Sequence, residues 1–247
     1  TILPDGSRLI KLYYQRHKHS LSINDAEGTK DPEGEGEYYY GEDVTVDVTV
    51  EDGYTWDKWT GTEPSDEKVH PFQMPAEPVI LTPVVTTNSY KLTVDPAQGT
   101  WENSTDKQEF TQKYKTTKDI ADPTRVGYVF TGWKLDGAGK IEDKVYTFGV
   151  GNGTLTAQWT EATDTKYTVE HYVMDTKGEY PEKATAVDNL QGTTNAKLTL
   201  AKLVKDTLLV PNGISYSHGT VDGATATETT ILPDGSRLIK LYYQRHK

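Results

Sequence analysis

The first eighteen residues of the chain are repeated without change as its last eighteen. Both Thr1–Lys18 and Thr230–Lys247 read TILPDGSRLIKLYYQRHK, at an offset of 229 residues. Chance does not match two segments at so many positions, and self-similarity at a fixed offset marks modular arrays. The duplication therefore predicts near-identical tandem units, in which residues 1–18 are the terminal strand of the preceding unit.

The composition allows only small, divided hydrophobic cores. Hydrophobic residues make up 34% of the 247, and there are 16 Tyr, 5 Trp and 4 Phe, so aromatic side chains are expected to anchor these cores. The absence of cysteine excludes disulfides, thiolate metal sites and a cysteine nucleophile. The net charge of −11 disfavours nucleic acid, whose phosphates bind Lys and Arg. No run of apolar residues is long enough to span a membrane, so we expect no membrane insertion.

Strand patterns dominate the chain. Apolar and polar residues alternate with period two in four clear runs, at residues 44–50, 90–94, 154–159 and 167–172. Turn pairs such as Asp52-Gly53 and Asp222-Gly223 separate the runs. The best helical candidate is residues 195–209, which fit a strand–turn–strand arrangement about as well. A mostly β fold is therefore expected.

Two polar links divide the chain after its leading copy. Residues 86–89 (TTNS) and 161–164 (EATD) lie between strand-rich blocks. They give blocks at residues 19–87, 88–164 and 165–247. Links this short do not act as flexible tethers, so we expect little hinging between three successive modules.

Each block carries residues that resemble a known repeat family. In the second block, GYVFTGW at residues 127–133 and GTLTAQW at 153–159 resemble the Listeria–Bacteroides repeat family of the internalin B-repeat type. The first block, with YYYGEDVTVDVTVEDGYTWDKWTG, resembles the divergent bacterial-repeat relatives of that family. The third opens YTVEHYVMDTKGEY and closes ILPDGSRLIKLYYQR, and resembles the mucin-binding-protein repeat family, with Gly213-Ile214 in place of the usual Gly-Tyr centre.

These resemblances imply a fold and a location. They imply β-grasp-like modules in a cell-wall-attached surface protein of a Gram-positive bacterium, with no enzyme activity and no cofactor. Because arrays gain length by copying a module, we expect three small tandem β-grasp-like modules in an elongated array. The expected function is that of a repeat unit of a surface adhesin, acting as a stalk or spacer with possible host-ligand attachment. The alternative is a dedicated mucin- or glycan-binding module. Expected partners are neighbouring repeats and a host glycoprotein or mucin glycan.

Three consecutive tyrosines are the candidate ligand-binding residues. Successive side chains of a strand point to opposite faces, so at least one of Tyr38, Tyr39 and Tyr40 is expected to be exposed. The competing interpretation is packing on an edge strand. Trp59, Trp133 and Trp159 are expected to be core anchors rather than sugar-stacking platforms, because each block has few other large side chains to bury.

No pattern in the sequence points to catalysis or to a metal. The acidic stretch Asn24–Glu37 lacks the spacing of an EF-hand loop, and no histidine pair has the HExxH spacing. Ser215 lies in GISYS, which lacks the second glycine of a nucleophile elbow. Lysines on opening strands (Lys91, Lys166) could in principle crosslink to asparagines, the candidates being Asn103, Asn152 and Asn212, but ordinary surface lysines are favoured.

The two copies of the repeated segment are expected to form strands. Residues 231–245 should close the third module after a turn at 233–235, with Ile239, Leu241 and Tyr243 on one face. The copy at Thr1–Lys18 carries the same apolar face without a core. We expect it to pair as a β-strand, either with the edge of the first module or with the third module of a neighbouring molecule.

Overall fold

The computed structural model describes residues 3–102, 104–209 and 213–246. These residues form 21 β-strands and two short 3₁₀ helices. The strands fall into three successive groups along the chain, each with its own hydrophobic cluster. We refer to these groups as the first, second and third modules. The mostly β fold of tandem modules is thereby confirmed.

The first module has two sheets around one core. Its strands are β1 (Lys18–Ile23), β2 (Thr29–Glu33), β3 (Gly36–Tyr39), β4 (Asp43–Val50), β5 (Tyr54–Gly61), β6 (His70–Gln73) and β7 (Val79–Thr87). The larger sheet has the order β3-β1-β7-β5 and the smaller has the order β2-β4-β6. The alternation that predicted β4 buries Val44, Val46 and Val48 against Trp59 and Leu81.

The second module repeats this plan. Its strands are β8 (Ser89–Asp95), β9 (Gln108–Lys113), β10 (Thr117–Asp119), β11 (Tyr128–Gly137), β12 (Lys140–Glu142), β13 (Val145–Thr147) and β14 (Gly153–Glu161). The larger sheet has the order β9-β8-β14-β11, and the smaller has the order β10-β13-β12. Leu92, Leu155, Tyr146 and Phe148 form the centre of its core.

The third module adds one strand to the larger sheet. Its strands are β15 (Thr165–Val173), β16 (Ala186–Gly192), β17 (Lys197–Thr199), β18 (Ile214–Val221), β19 (Ala224–Ala226), β20 (Glu228–Thr230) and β21 (Leu238–Arg245). The 3₁₀ helices Leu200–Leu203 and Asp206–Leu208 follow β17. The larger sheet has the order β16-β15-β21-β18-β19, and β17 pairs with β20. Ile239, Leu241 and Tyr243 are fully buried, as the alternation predicted.

All three modules share one arrangement of their main strands. The first and last strands, β1 with β7, β8 with β14 and β15 with β21, form a parallel pair at the centre of the sheet. On its other side, the last strand of each module pairs with β5, β11 or β18. Each of these strands carries a β-bulge after its third residue, which is Trp56, Phe130 or Tyr216. Because the central strands are parallel, the chain enters each module at one end and leaves it at the other.

The two copies of the repeated segment form the same turn, with Gly6 N–H donating to Leu3 O and Gly235 N–H to Leu232 O, but they differ after it. In the C-terminal copy, β21 lies between β15 and β18. In the N-terminal copy, residues 3–17 form no strand, and Ile10, Leu12 and Tyr14 are 75%, 71% and 89% exposed. The expected pairing of this copy with the edge of the first module is therefore wrong. A strand that is central in its sheet needs a partner on both sides, and the single chain supplies these partners only once.

Candidate functional site

Hydrogen bonds of backbone and side chains hold the junctions between modules. At the first junction one residue, Asn88, separates β7 from β8. Its N–H donates to the carbonyl oxygen of Gly53 (2.8 Å), and its own carbonyl accepts from the N–H of Tyr114 (2.9 Å). Thr55 Oγ1 also donates to Asn88 Oδ1 at 2.6 Å. The linking residue is thus bonded to both modules at once.

Aromatic side chains close the first junction. The rings of Tyr54 and Tyr114 meet edge to face with centroids 5.8 Å apart, and Lys115 Nζ lies 5.5 and 5.2 Å from the two centroids. Tyr54 OH donates to Glu27 Oε1 at 2.8 Å, and this hydrogen bond raises the pKa of Tyr54. A Cβ at Gly53 would lie 2.3 Å from the Tyr114 ring, so only glycine fits there.

The second junction follows the same pattern with a longer link. Ala162 N–H donates to the carbonyl of Gly127 (2.9 Å), and the Ala162 carbonyl accepts from Thr194 N–H (2.9 Å). Thr194 is fully buried and its hydroxyl donates to Gly127 O at 2.7 Å. Asn195 Nδ2 donates to Tyr128 OH and Glu161 Oε1 of the second module, at 2.8 and 2.9 Å. A Cβ at Gly127 would lie 2.6 Å from the backbone of Pro233.

An aromatic cleft lies beside the second junction. Its volume is about 770 Å³, and Pro233 of the third module closes one side. Trp159 and Phe130 meet with ring centroids 5.6 Å apart, and the Arg125 guanidinium lies 3.8 Å from the Tyr128 ring centroid. Apolar rings with a few convergent polar groups are typical of small-ligand sites.

The three candidate tyrosines are divided between core and surface. Tyr38 is half-buried, packs on the first core and donates from its hydroxyl to Gly34 O at 2.8 Å. Tyr39 and Tyr40 are 42% and 55% exposed. Lys18 Nζ lies 4.9 Å from the Tyr39 ring centroid. The alternation from Tyr38 to Tyr39 follows the predicted strand, and ligand binding by these residues stays a prediction.

The three tryptophans predicted as core anchors have different surroundings. Trp59 is fully buried, and its Nε1–H donates to Lys68 O at 2.9 Å. Trp133 is half-buried against the second core and stacks on Trp101 with centroids 6.1 Å apart. Trp159 is half-buried in the wall of the cleft, where its Nε1–H donates to Pro96 O at 3.1 Å. Trp159 is therefore not a member of the second core cluster.

The first module is similar to a known repeat family. Residues 19–89 match the model of the family described as Divergent InlB B-repeat domain. The first module is thus similar to a bacterial surface-protein repeat, which implies an extracellular location. No curated protein sequence matches the chain significantly. Within the described residues, no helix is long and apolar enough to cross a bilayer.

A buried polar network in the third module resembles part of a catalytic triad. His171 is fully buried; its Nδ1 lies 2.7 Å from Tyr243 OH and its Nε2 lies 3.0 Å from Asp188 Oδ2. Lys205 Nζ bonds Asp188 Oδ1 at 2.5 Å, and Lys205 N–H donates to Tyr243 OH at 3.0 Å. A neutral imidazole, with Nε2–H donating to Asp188 and Nδ1 accepting from Tyr243, satisfies every partner. The network joins strands β15, β16 and β21 and acts as a structural clamp.

This clamp should make the third module sensitive to acid. Burial lowers the pKa of His171, although Asp188 acts in the opposite direction. The unfolded chain therefore takes up the His171 proton at a higher pH than the folded chain does, and stability falls as pH drops below about 6.5. We expect the melting temperature of the third module to fall between pH 7 and pH 5. His171→Gln should flatten this dependence, because glutamine takes up no proton in this pH range; an unchanged pH slope would contradict the assignment.

Two of the candidate crosslinking residues, Lys91 and Asn152, make ordinary contacts. Lys91 Nζ pairs with Glu109 at 3.0 Å, while Asn152 Oδ1 accepts from the backbone N–H of Lys91 at 2.8 Å. Asn103 and Asn212 lie outside the described residues. In the described part of the chain, no group of three or more His, Asp or Glu side chains is placed to hold a metal ion.

The sequence predicts links at 86–89 and 161–164, and these boundaries stay a prediction; it does not predict the contacts made beside them. The contributions of Gly53, Gly127 and Thr194 were missed, because they come from distant parts of the chain. A Gly-Tyr pair opens β5 and β11, at Gly53 and Gly127, and this shared pattern was the available signal.

Proposed function

We propose that the chain is a non-catalytic stalk segment of a bacterial surface adhesin, anchored to the cell wall of a Gram-positive bacterium. In this proposal the modules are successive domains with boundaries at 19–87, 88–164 and 165–247. Their task is to hold a binding region away from the cell surface.

The observation that carries this proposal is the path of the chain through each module. The central parallel strands place entry and exit at opposite ends, so each module adds its length to the chain. At both junctions the linking residue is hydrogen-bonded to the modules on either side. Glycine at positions 53 and 127 lets the modules approach within van der Waals contact. A spacer needs these two properties, added length and limited bending. The family match at residues 19–89 supports a surface protein.

The proposal predicts an extended particle in solution. A module of this size has a radius of gyration of about 11 Å and a diameter of roughly 30 Å. Three in line should give a maximum dimension of about 90 Å by small-angle X-ray scattering. A compact globule would contradict the stalk function.

A matched pair of glycine variants tests the junction itself. Gly53→Ala places a Cβ against the Tyr114 ring, whereas at Gly223, where φ is +81 compared with +90 at Gly53, a Cβ meets nothing within 4 Å. Both should carry similar backbone strain. Only Gly53→Ala should change the orientation of the first module relative to the second, measured by residual dipolar couplings. Equal effects of the two variants would count against a tightly built junction.

A second candidate function is glycan binding in the cleft beside the second junction. The rings of Tyr128, Phe130 and Trp159 and the guanidinium of Arg125 favour it, because aromatic faces and polar groups together suit a sugar. Titration of the chain with mucin oligosaccharides should then perturb the Trp159 indole signal, and Arg125→Ala should weaken binding. Lys134→Ala, on the exposed part of β11, is the control. Absence of any perturbation would leave the spacer function alone.

A further inference from the structure

The two ends of the chain show the two halves of one junction. At the first junction Asn88 follows the last paired residue of β7, donates to a glycine carbonyl of the preceding module and accepts from the following module. His246 likewise follows the last paired residue of β21, Arg245, and its N–H donates to the carbonyl of a glycine, Gly213. His17 precedes Lys18, the first paired residue of β1. His246 and His17 are the same position of the duplicated segment.

The donor half of the junction is present at His246. Its N–H donates to Gly213 O at 2.6 Å, as Asn88 N–H donates to Gly53 O. Ser215 Oγ lies 2.7 Å from His246 Nε2, in the place of the Thr55–Asn88 side-chain bond. The backbone and side-chain hydrogen bonds of His246 therefore both correspond to those that Asn88 makes with the preceding module.

The acceptor half is present at His17. Its carbonyl accepts from Tyr40 N–H at 3.2 Å, as the Asn88 carbonyl accepts from Tyr114 N–H. Tyr40 directly follows β3, and Tyr114 directly follows β9, the equivalent strand of the second module. The tail that forms no strand is thus already held to the first module at the position where a junction is expected.

We propose that the third module of one unit binds the first module of the next unit through a junction centred on this shared histidine. The proposal rests on the stalk function proposed above. The partner is a second copy of the same unit, following in tandem. Strand β21 of one unit would then continue through one residue into β1 of the next, as β7 continues through Asn88 into β8.

The space for this partner is open in the single chain. A Cβ at Gly53 or Gly127 would collide with the following module, whereas a Cβ at Gly213 would meet only His246 O, at 3.8 Å. Gly213 has φ +100, close to the +90 of Gly53. Tyr40 is 55% exposed. In the junction, the Tyr40 ring takes the position over Gly213 that the Tyr114 ring takes over Gly53, which gives a role to one of the three candidate tyrosines.

The test is a chain of two units, residues 1–247 followed directly by a second 19–247. Because the sequence contains no cysteine, spin labels can be placed without removing native residues. One pair, Val187→Cys in the first unit and Glu37→Cys in the second, spans the proposed junction. A second pair, Glu37→Cys and Glu109→Cys in a single unit, spans the first internal junction. Double electron–electron resonance should give narrow distance distributions for both pairs.

Matched variants separate a built junction from a flexible connection. Tyr40→Ala in the second unit should remove the narrow peak of the cross-unit pair, while Tyr39→Ala, its exposed neighbour, should leave it. Insertion of Gly-Ser-Gly-Ser between the units gives the flexible reference. A cross-unit distribution as broad as this reference, with a narrow internal pair, would overturn the inference and leave the stalk function standing. A broad internal pair would overturn both, and a narrow peak insensitive to Tyr40→Ala would overturn the tyrosine contact.

Discussion

Tyr243→Ala is expected to unfold the third module, while the same substitution at Tyr14 changes nothing. The two tyrosines occupy equivalent positions of the duplicated segment, yet Tyr243 is fully buried and Tyr14 is 89% exposed. Removing a buried aromatic ring costs about 3–5 kcal/mol. The loss of its hydroxyl also leaves His171 Nδ1 and the Lys205 N–H without their partner. Domains of this size have a free energy of unfolding of only about 5–15 kcal/mol. The cost of Tyr243→Ala is therefore a large fraction of the stability of the third module.

Differential scanning calorimetry of the two variants measures this difference directly. Tyr14→Ala should stay within about 0.5 kcal/mol of the unmodified chain, as surface substitutions do. Tyr243→Phe keeps the ring and removes only the hydroxyl, so it should cost about 1–3 kcal/mol. A clear destabilisation by Tyr14→Ala would show that the N-terminal copy is packed in solution.

Trp59→Ala should selectively melt the first module. Trp59 is fully buried at the centre of the first core, contacts Trp56 edge to face with centroids 5.2 Å apart, and bonds Lys68 O. Truncation of so large a side chain costs about 3–5 kcal/mol. In ¹H–¹⁵N correlation spectra, signals of the first module should collapse while those of the third remain.

The control for Trp59 is Tyr40→Ala in the same module. Tyr40 is 55% exposed, so this variant should leave the melting temperature of the first module unchanged. Simultaneous loss of all three modules in Trp59→Ala would contradict the proposal that residues 19–87 form a separate domain.

Local patterns in the sequence predicted the strands more readily than their partners. Alternation at residues 44–50 gave β4 and its buried face, because side-chain direction in a strand depends only on neighbours along the chain. The pairing of β4 with β2 and β6 in a second sheet could not be predicted this way. The parallel pair of β1 with β7, in which Leu21 lies opposite Val79, depends on residues far apart in sequence. For residues 195–209 the sequence left a helix and a strand–turn–strand arrangement open, and the structure has a short strand and two 3₁₀ helices there.

The duplicated segment shows why sequence alone could not settle its own structure. Residues 238–245 form a central strand, whereas the equivalent residues 9–16 form no strand and are exposed. The difference comes from the partners, since β15 and β18 surround only one copy. The candidate site depends on distant partners in the same way. Gly53 belongs to a turn pair and Gly127 to the GYVFTGW motif, but the residues they meet in the next module are far along the chain.

The parallel central strands also determine how the chain bears mechanical load. When the two ends of a module are pulled apart, β1 and β7 move in opposite directions along their length, so all their shared hydrogen bonds are loaded together in shear. The parallel register contains three residue pairs in the first module, four in the second and six in the third. Under a rising tensile force, the first module should therefore unfold at the lowest force and the third module at the highest.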